Sequence, residues 1–108
     1  MTIKELIEYF RTNGNKADFF EKNNLDPESE VIEIYMQKPF DLKNEIRLFE
    51  IEKTNGNIKY EYQNCDYYNL IDFYYFFDFI EESKARKNEK LTDEKLAEIF
   101  LNYCINDA

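Results

Sequence analysis

The 108 residues of this chain include no histidine, so its chemistry would rest on carboxylates, phenols, hydroxyls, amines, guanidinium groups and two thiols. Histidine is the commonest general acid/base and the commonest metal ligand. Without it, Ser-His-Asp and Cys-His nucleophile arrangements are excluded. Cys65 and Cys104 lie in neither a CxxC pair nor a metal-type spacing. A thiol becomes a nucleophile only where a cation or a helix terminus stabilises its thiolate. A small buried hydrophobe is the expected role of both, since free cysteine is among the most buried residue types. Gly14 and Gly56 are the only glycines, too few for a phosphate-cradling loop. Asp26-x-Glu28-x-Glu30 has the acid spacing of a calcium loop but lacks its mid-loop glycine and distal glutamate. Asp41-x-Lys43 matches a metal-dependent nuclease strand at two residues only, and an acidic chain is a poor nuclease because nucleic-acid affinity rests on cations. The expectation is a protein that is not an enzyme, with no catalytic residue, metal or cofactor.

What remains is binding chemistry. Twenty-three acids against fourteen bases give a net charge of −9. Such a surface repels nucleic acid and anionic membrane and attracts basic partners, and it also serves plain solubility. Two acidic surfaces stand out. One is a sheet face carrying Glu33, Tyr35, Glu50, Glu52 and Glu61, with Glu50 expected opposite Glu61. A like-charge cross-strand pair is unfavourable and invites an incoming cation, although charge on the open face of an antiparallel sheet is ordinary. The other is one side of an aromatic segment, where Asp66, Tyr67, Tyr68, Asp72, Tyr75, Asp78, Phe79 and Glu82 interleave rings with acids. From Glu61 to Glu82 there are six acids and no base. Tyrosines are favoured anchors, and neighbouring acids suit a Lys- or Arg-rich partner. The same rings would instead be core if that segment were central, because aromatics dominate cores as well as interfaces.

The elements that must position these residues follow from local patterns. Thr2-Ile3-Lys4-Glu5 is a capping box, and Ile3, Leu6, Ile7 and Phe10 recur at helical spacing, which predicts a helix over 3–12 stopped at Asn13-Gly14. Lys16 to Asn23 reads as a short helical turn, and Asp26-Pro27-Glu28-Ser29 as a loop. Val31 to Gln37 is β-branched and aromatic and reads as a strand, with Ile32, Ile34 and Met36 on one face. That strand is a candidate exposed edge, and the chain is expected to be a monomer or a weak homodimer formed through it. Asn55-Gly56 is the preferred centre of a type I′ turn, which predicts a hairpin over 45–64 with Phe49, Ile51, Ile58, Tyr60 and Tyr62 on one face. Asp66 would cap a long helix over 67–82, with Leu70, Phe73, Tyr74, Phe76, Phe77 and Ile80 as its stripe. The basic run Lys84, Arg86, Lys87 and Lys90 reads as that helix's end and a loop. Thr92 caps a last helix with the stripe Leu96, Ile99, Phe100, Tyr103 and Cys104.

The expected fold is therefore α+β in a single domain over 1–108: an N-terminal helix, a small antiparallel sheet of about three strands with an Asn-Gly hairpin, and two C-terminal helices packed on one sheet face. No apolar run reaches the roughly 18 residues of a membrane span, and the first residues lack the apolar core of a signal peptide. A cytoplasmic protein with reduced thiols is expected. In profile, and by no motif, the chain is similar to small bacterial immunity proteins that neutralise toxic nucleases. That resemblance implies a compact, acidic, non-catalytic protein that covers a basic toxin with carboxylates and aromatics. The alternative is a phage-type nucleic-acid mimic that inhibits a host defence nuclease, as anti-CRISPR and anti-restriction proteins do. Neither reading has the chain binding nucleic acid itself.

Overall fold

The computed structural model describes residues 1–12, 14–85 and 91–107. The capping box forms as the sequence implies. Glu5 N–H donates to Thr2 Oγ1 at 3.3 Å and Thr2 N–H to Glu5 Oε1 at 2.9 Å, starting helix α1 (Ile3–Arg11). All four apolar residues of its stripe are buried. Gly14 donates its N–H to the Tyr9 carbonyl at 2.9 Å and lies so close to Tyr9 that a Cβ has no room. Its companion in the expected stop, Asn13, lies outside the described residues, as do Arg86, Lys87 and Lys90 of the basic run. Asn15 caps α2 (Lys16–Lys22) by accepting from the Ala17 and Asp18 amides.

The fold is α+β, with a curled antiparallel sheet of four strands rather than three. The strands are β1 (Ile32–Met36), β2 (Ile46–Glu50), β3 (Lys59–Tyr62) and β4 (Cys65–Asp72), in the order β2-β1-β4-β3. β1 is therefore central, and the sheet's edges are β2 and β3. This corrects the expectation of an edge at 31–37.

The Asn55-Gly56 hairpin does not form. Residues 51–54 make a single turn of helix, α3 (Ile51–Thr54), and Asn55, at φ 55°, closes it by donating its N–H to the Ile51 carbonyl. Asn-Gly supplies two consecutive left-handed positions, and a helix C-terminus uses these as readily as a type I′ turn does. β2 and β3 thus never pair with each other. β3 pairs with β4 through a turn at Gln63 and Asn64, both at positive φ, and β2 pairs with β1.

The second correction is at the aromatic segment. Cys65–Asp72 is a strand, and the helix, α4, runs from Phe73 to Ala85. Asp66 is no cap: it sits in β4 opposite Glu61. The turn into α4 is held by Asp72, whose Oδ1 accepts the Tyr74 N–H at 2.7 Å. Thr92 caps α5 (Asp93–Asp107) as expected, accepting from the Lys95 amide.

Helices α1, α2 and α4 and the last helix, α5, lie against one face of the sheet, around a core of Ile32, Ile34 and Met36 with Phe10, Phe73 and Phe76. Arg11 joins the first and last helices: its Nη1 pairs with Asp93 at 2.7 Å and donates to the Leu91 carbonyl at 3.0 Å. Against the other face sits a second, smaller cluster of Tyr35, Phe49 and Tyr67, with Tyr60, Tyr62 and Cys65 half-buried around it. Phe49 meets Tyr60 at 4.9 Å and Tyr62 at 5.2 Å between ring centroids. These rings were expected to meet across a hairpin. They meet instead because the sheet curls and brings its two edge strands over the same concave face. Ile51 and Ile58 take no part: Ile51 is in α3, and Ile58 is 75% exposed.

Candidate functional site

The expected sheet face does not exist as one surface. Glu33 and Tyr35 alternate with Ile34 and point to the concave side. Tyr35 is fully buried there and donates its hydroxyl to the Asn57 carbonyl at 2.5 Å. Glu33 is half-buried: its Oε2 accepts from Asn69 Nδ2 at 2.7 Å, and its Oε1 is enclosed with no protein partner. Glu61 is exposed but faces Asp66 in the β3–β4 register, not Glu50. A like-charge pair is present, therefore, with a different partner. Lys59 relieves it by pairing with Asp66 at 3.4 Å.

Glu50 and Glu52 are drawn instead to the loop that precedes β1. Glu50 Oε2 accepts the Asp26 N–H at 3.2 Å, and its Oε1 pairs with Lys53 at 3.1 Å. Glu52 accepts the Ser29 hydroxyl at 2.5 Å and the Glu30 N–H at 3.1 Å. Those bonds hold the Glu52 carboxyl below its ordinary pKa, the Ser29 hydroxyl contributing most. Asp26 in turn accepts the Glu28 amide at 2.9 Å. Five acids, Asp26, Glu28, Glu30, Glu50 and Glu52, are thereby tied into one patch, with Lys53 as the base paired inside it. Sequence reasoning considered the first three only as a failed calcium loop. Their alternation beside Pro27 was the available signal, and what it lacked was any indication that residues 50–52 return to this loop.

The residues expected along the aromatic helix are divided among three places. Tyr67 is buried in the concave cluster. Tyr68, its neighbour on β4, points to the opposite face, where the Lys38 ammonium lies 4.4 Å from its ring. Asp72 is committed to the start of α4. On α4 itself Phe79 packs on Phe100 at 5.2 Å, while Tyr75 is 63% exposed and Asp78 and Glu82 are exposed near it. A reduced acidic-aromatic surface therefore survives on α4, without Asp66, Tyr67 or Tyr68.

A concavity of about 390 Å³ runs along β2. The rings of Phe49, Tyr60 and Tyr62 line one side of it, and Asn24 and Leu25 the other. Arg47 stands in it with its guanidinium 5.5 Å from the Tyr62 ring. The Tyr67 hydroxyl beside it is the main influence that raises the Arg47 pKa above its usual value. Arg47 is not among the residues that the sequence singles out.

The thiols differ in setting. Cys104 is buried in the helical core, where desolvation pushes its pKa up to about 12 and leaves it a neutral thiol at physiological pH. Cys65 is only half-buried, at the rim of the concave cluster. Among the described residues, no group of three or more acids or thiols is arranged to hold a metal ion, and no helix is long and apolar enough to cross a membrane. Comparison with protein-family models, curated proteins and solved structures returns no match.

Proposed function

We propose that this chain is a non-catalytic acidic binding protein that neutralises a basic protein partner, in the manner of an immunity protein blocking a nuclease-type bacterial toxin. The observation that carries this reading is the patch formed by Asp26, Glu28, Glu30, Glu50 and Glu52. Like charges gathered at one place raise the local potential and repel one another in the free protein. A cationic partner relieves that repulsion, so part of the free energy of association comes from groups already held in place by Ser29 and by the backbone of the loop. The chain's net charge of −9 extends the same field over the surface and favours fast, steered encounter.

The experiment is capture of a partner from the native host, followed by titration across salt. Binding is expected to be one-to-one to a basic protein, with an association rate that falls steeply as ionic strength rises. Charge reversal of the solvent-facing pair, Glu28→Lys with Glu30→Lys, is expected to slow association about tenfold or more. A partner whose association is indifferent to salt and to this double change would refute the proposal. A partner that is released by competing nucleic acid would move the reading to the mimic class.

A further inference from the structure

We propose that the cleft along β2 binds a small aromatic monocarboxylate, with Arg47 taking the carboxylate and the rings of Phe49, Tyr60 and Tyr62 taking the aromatic body. This site is separate from the acidic patch, and neither reading rests on the other.

Charge supplies the first argument. The charged side chains that line the cleft are Glu45, Arg47, Glu50 and Lys53. Glu50 is already paired with Lys53 at 3.1 Å, and Glu45 with the Met1 ammonium at 3.6 Å. Arg47 has no ion-pair partner among the described residues. Its guanidinium lies 5.5 Å from the centre of the Tyr62 ring, with the Tyr67 hydroxyl beside it. Neutral phenols, and no acid, therefore hold this side chain in place. A guanidinium is a planar fork of N–H donors that matches the two oxygens of a carboxylate. Tyr62 and Tyr67 orient the fork without using up its donors, and Arg47 is exposed, so an incoming anion can reach it.

The chain's own field limits how much charge that anion carries. A net charge of −9 repels anions at long range, and a guanidinium at contact offsets one negative charge. A dianion such as phosphate brings further charge with nothing to meet it, between Glu45 and Glu50. A cation meets Arg47 itself, while the acids of the cleft already have partners. A single carboxylate is the charge the cleft fits.

The walls supply the rest. A concavity of about 390 Å³ is the size of a small-ligand site. Phe49 packs against Tyr60 and Tyr62, so the three rings form a continuous wall, and Leu25 faces it from the other side. An aromatic body gains by packing on these rings. Acetate alone would leave the wall uncovered and make only an exposed ion pair, which is worth little.

The test titrates indoleacetate, indoleacetamide, tryptamine, acetate and inorganic phosphate into the intact protein and follows its backbone amide shifts. Indoleacetate is expected to bind best and to shift residues 46–50 and 60–62. Indoleacetamide keeps the ring and loses the charge, and is expected to bind about tenfold more weakly. Tryptamine, acetate and phosphate are expected to lose at least as much. Arg47→Gln is expected to weaken indoleacetate about tenfold, and Arg47→Lys severalfold, because lysine keeps the charge without the fork. Both variants are checked for an unchanged thermal midpoint, and should Arg47→Gln not fold, the ligand series on the unaltered protein decides alone. Equal binding of indoleacetate and indoleacetamide, tighter binding of tryptamine or phosphate, shifts confined to other residues, or no binding of indoleacetate overturns the proposal. So does a folded Arg47→Gln variant that binds like the wild type. Glu28→Lys with Glu30→Lys, which probes the acidic patch, is expected to change indoleacetate affinity less than about threefold. A tenfold gain there would show that net charge, and not Arg47, governs binding, and would overturn this site while leaving the acidic patch to the partner's salt titration.

Discussion

The two faces of the curled sheet are built from different chemistry. The helix-covered face is Ile, Leu and Phe, and Phe10, Phe73 and Phe76 are essentially without exposure. The concave face is mostly tyrosine, and its rim residues Tyr60, Tyr62 and Cys65 remain half-open. Phenylalanine has only apolar surface to bury, so a phenylalanine core gains most by closing completely. Tyrosine has an apolar body and a polar tip, so it packs a cluster while leaving its edge toward water or a partner. One face holds the fold together, and the other holds a shape open.

That contrast sets the scale of the expected mutational effects. Phe73 touches Phe10, Phe19, Phe20 and Phe76 and is fully buried, and Phe73→Ala is expected to cost about 3–5 kcal/mol in a denaturant titration. Tyr62→Ala, at the open rim, is expected to cost about 1 kcal/mol. Equal costs for the two would break the comparison. The cysteines probe the same contrast without mutation, because one lies on each face. Thiol alkylation of the folded protein is expected to modify Cys65 first. Cys104, whose pKa burial pushes up to about 12, carries far less thiolate than an unburied thiol and is expected to react only when the core opens. Similar rates at both positions would show that the helical core is not closed. Tyr35 sharpens the picture from inside the concave cluster: Tyr35→Phe keeps the ring and loses the bond to the Asn57 carbonyl, at an expected cost of about 1 kcal/mol.

How much of this was legible in the sequence depended on whether a local signal had one structural meaning. Thr2 with Glu5 has one: it begins a helix, and the stripe Ile3, Leu6, Ile7 and Phe10 then fixes which side is buried. Ile32, Ile34 and Met36 likewise named their shared face correctly. Asn55-Gly56 has two meanings. Left-handed φ serves a type I′ turn and a helix C-cap equally, and which is used was decided at a distance, by β1 and β4 lying between β2 and β3. The segment 67–82 failed for another reason. β4 is central, with Tyr67 buried on one face and Leu70 and Ile71 on the other, so the alternation that marks a half-exposed strand is absent. A central strand running into a helix then reads as one long apolar helix. The candidate site inherited both errors. Acids assigned to one hairpin face went to the 26–30 loop, and tyrosines assigned to one helix side went to both faces of a strand.

The smallest expected effect concerns how the open side's acids are held, and it is resolved by pH. Glu52 is fully exposed, yet its carboxyl lies below the ordinary value of 4.5 because Ser29 and the Glu30 amide donate to it in the folded state. A carboxylate with a lowered folded pKa favours folding above its unfolded pKa, and that contribution is lost as pH falls through the folded value. Glu52→Gln keeps the shape and loses the charge. Its urea midpoint is therefore expected to fall slightly below the wild-type midpoint at neutral pH and to converge with it as pH drops below 4.5. Glu5, lowered in the same direction by its bonds to Thr2, provides the control on the closed side of the molecule. Glu5→Gln is expected to converge in the same way while leaving partner association unchanged, whereas Glu52→Gln slows that association. If both variants slowed it equally, the acidic patch would act only through net charge, and its assembly at the 26–30 loop would have no part in recognition.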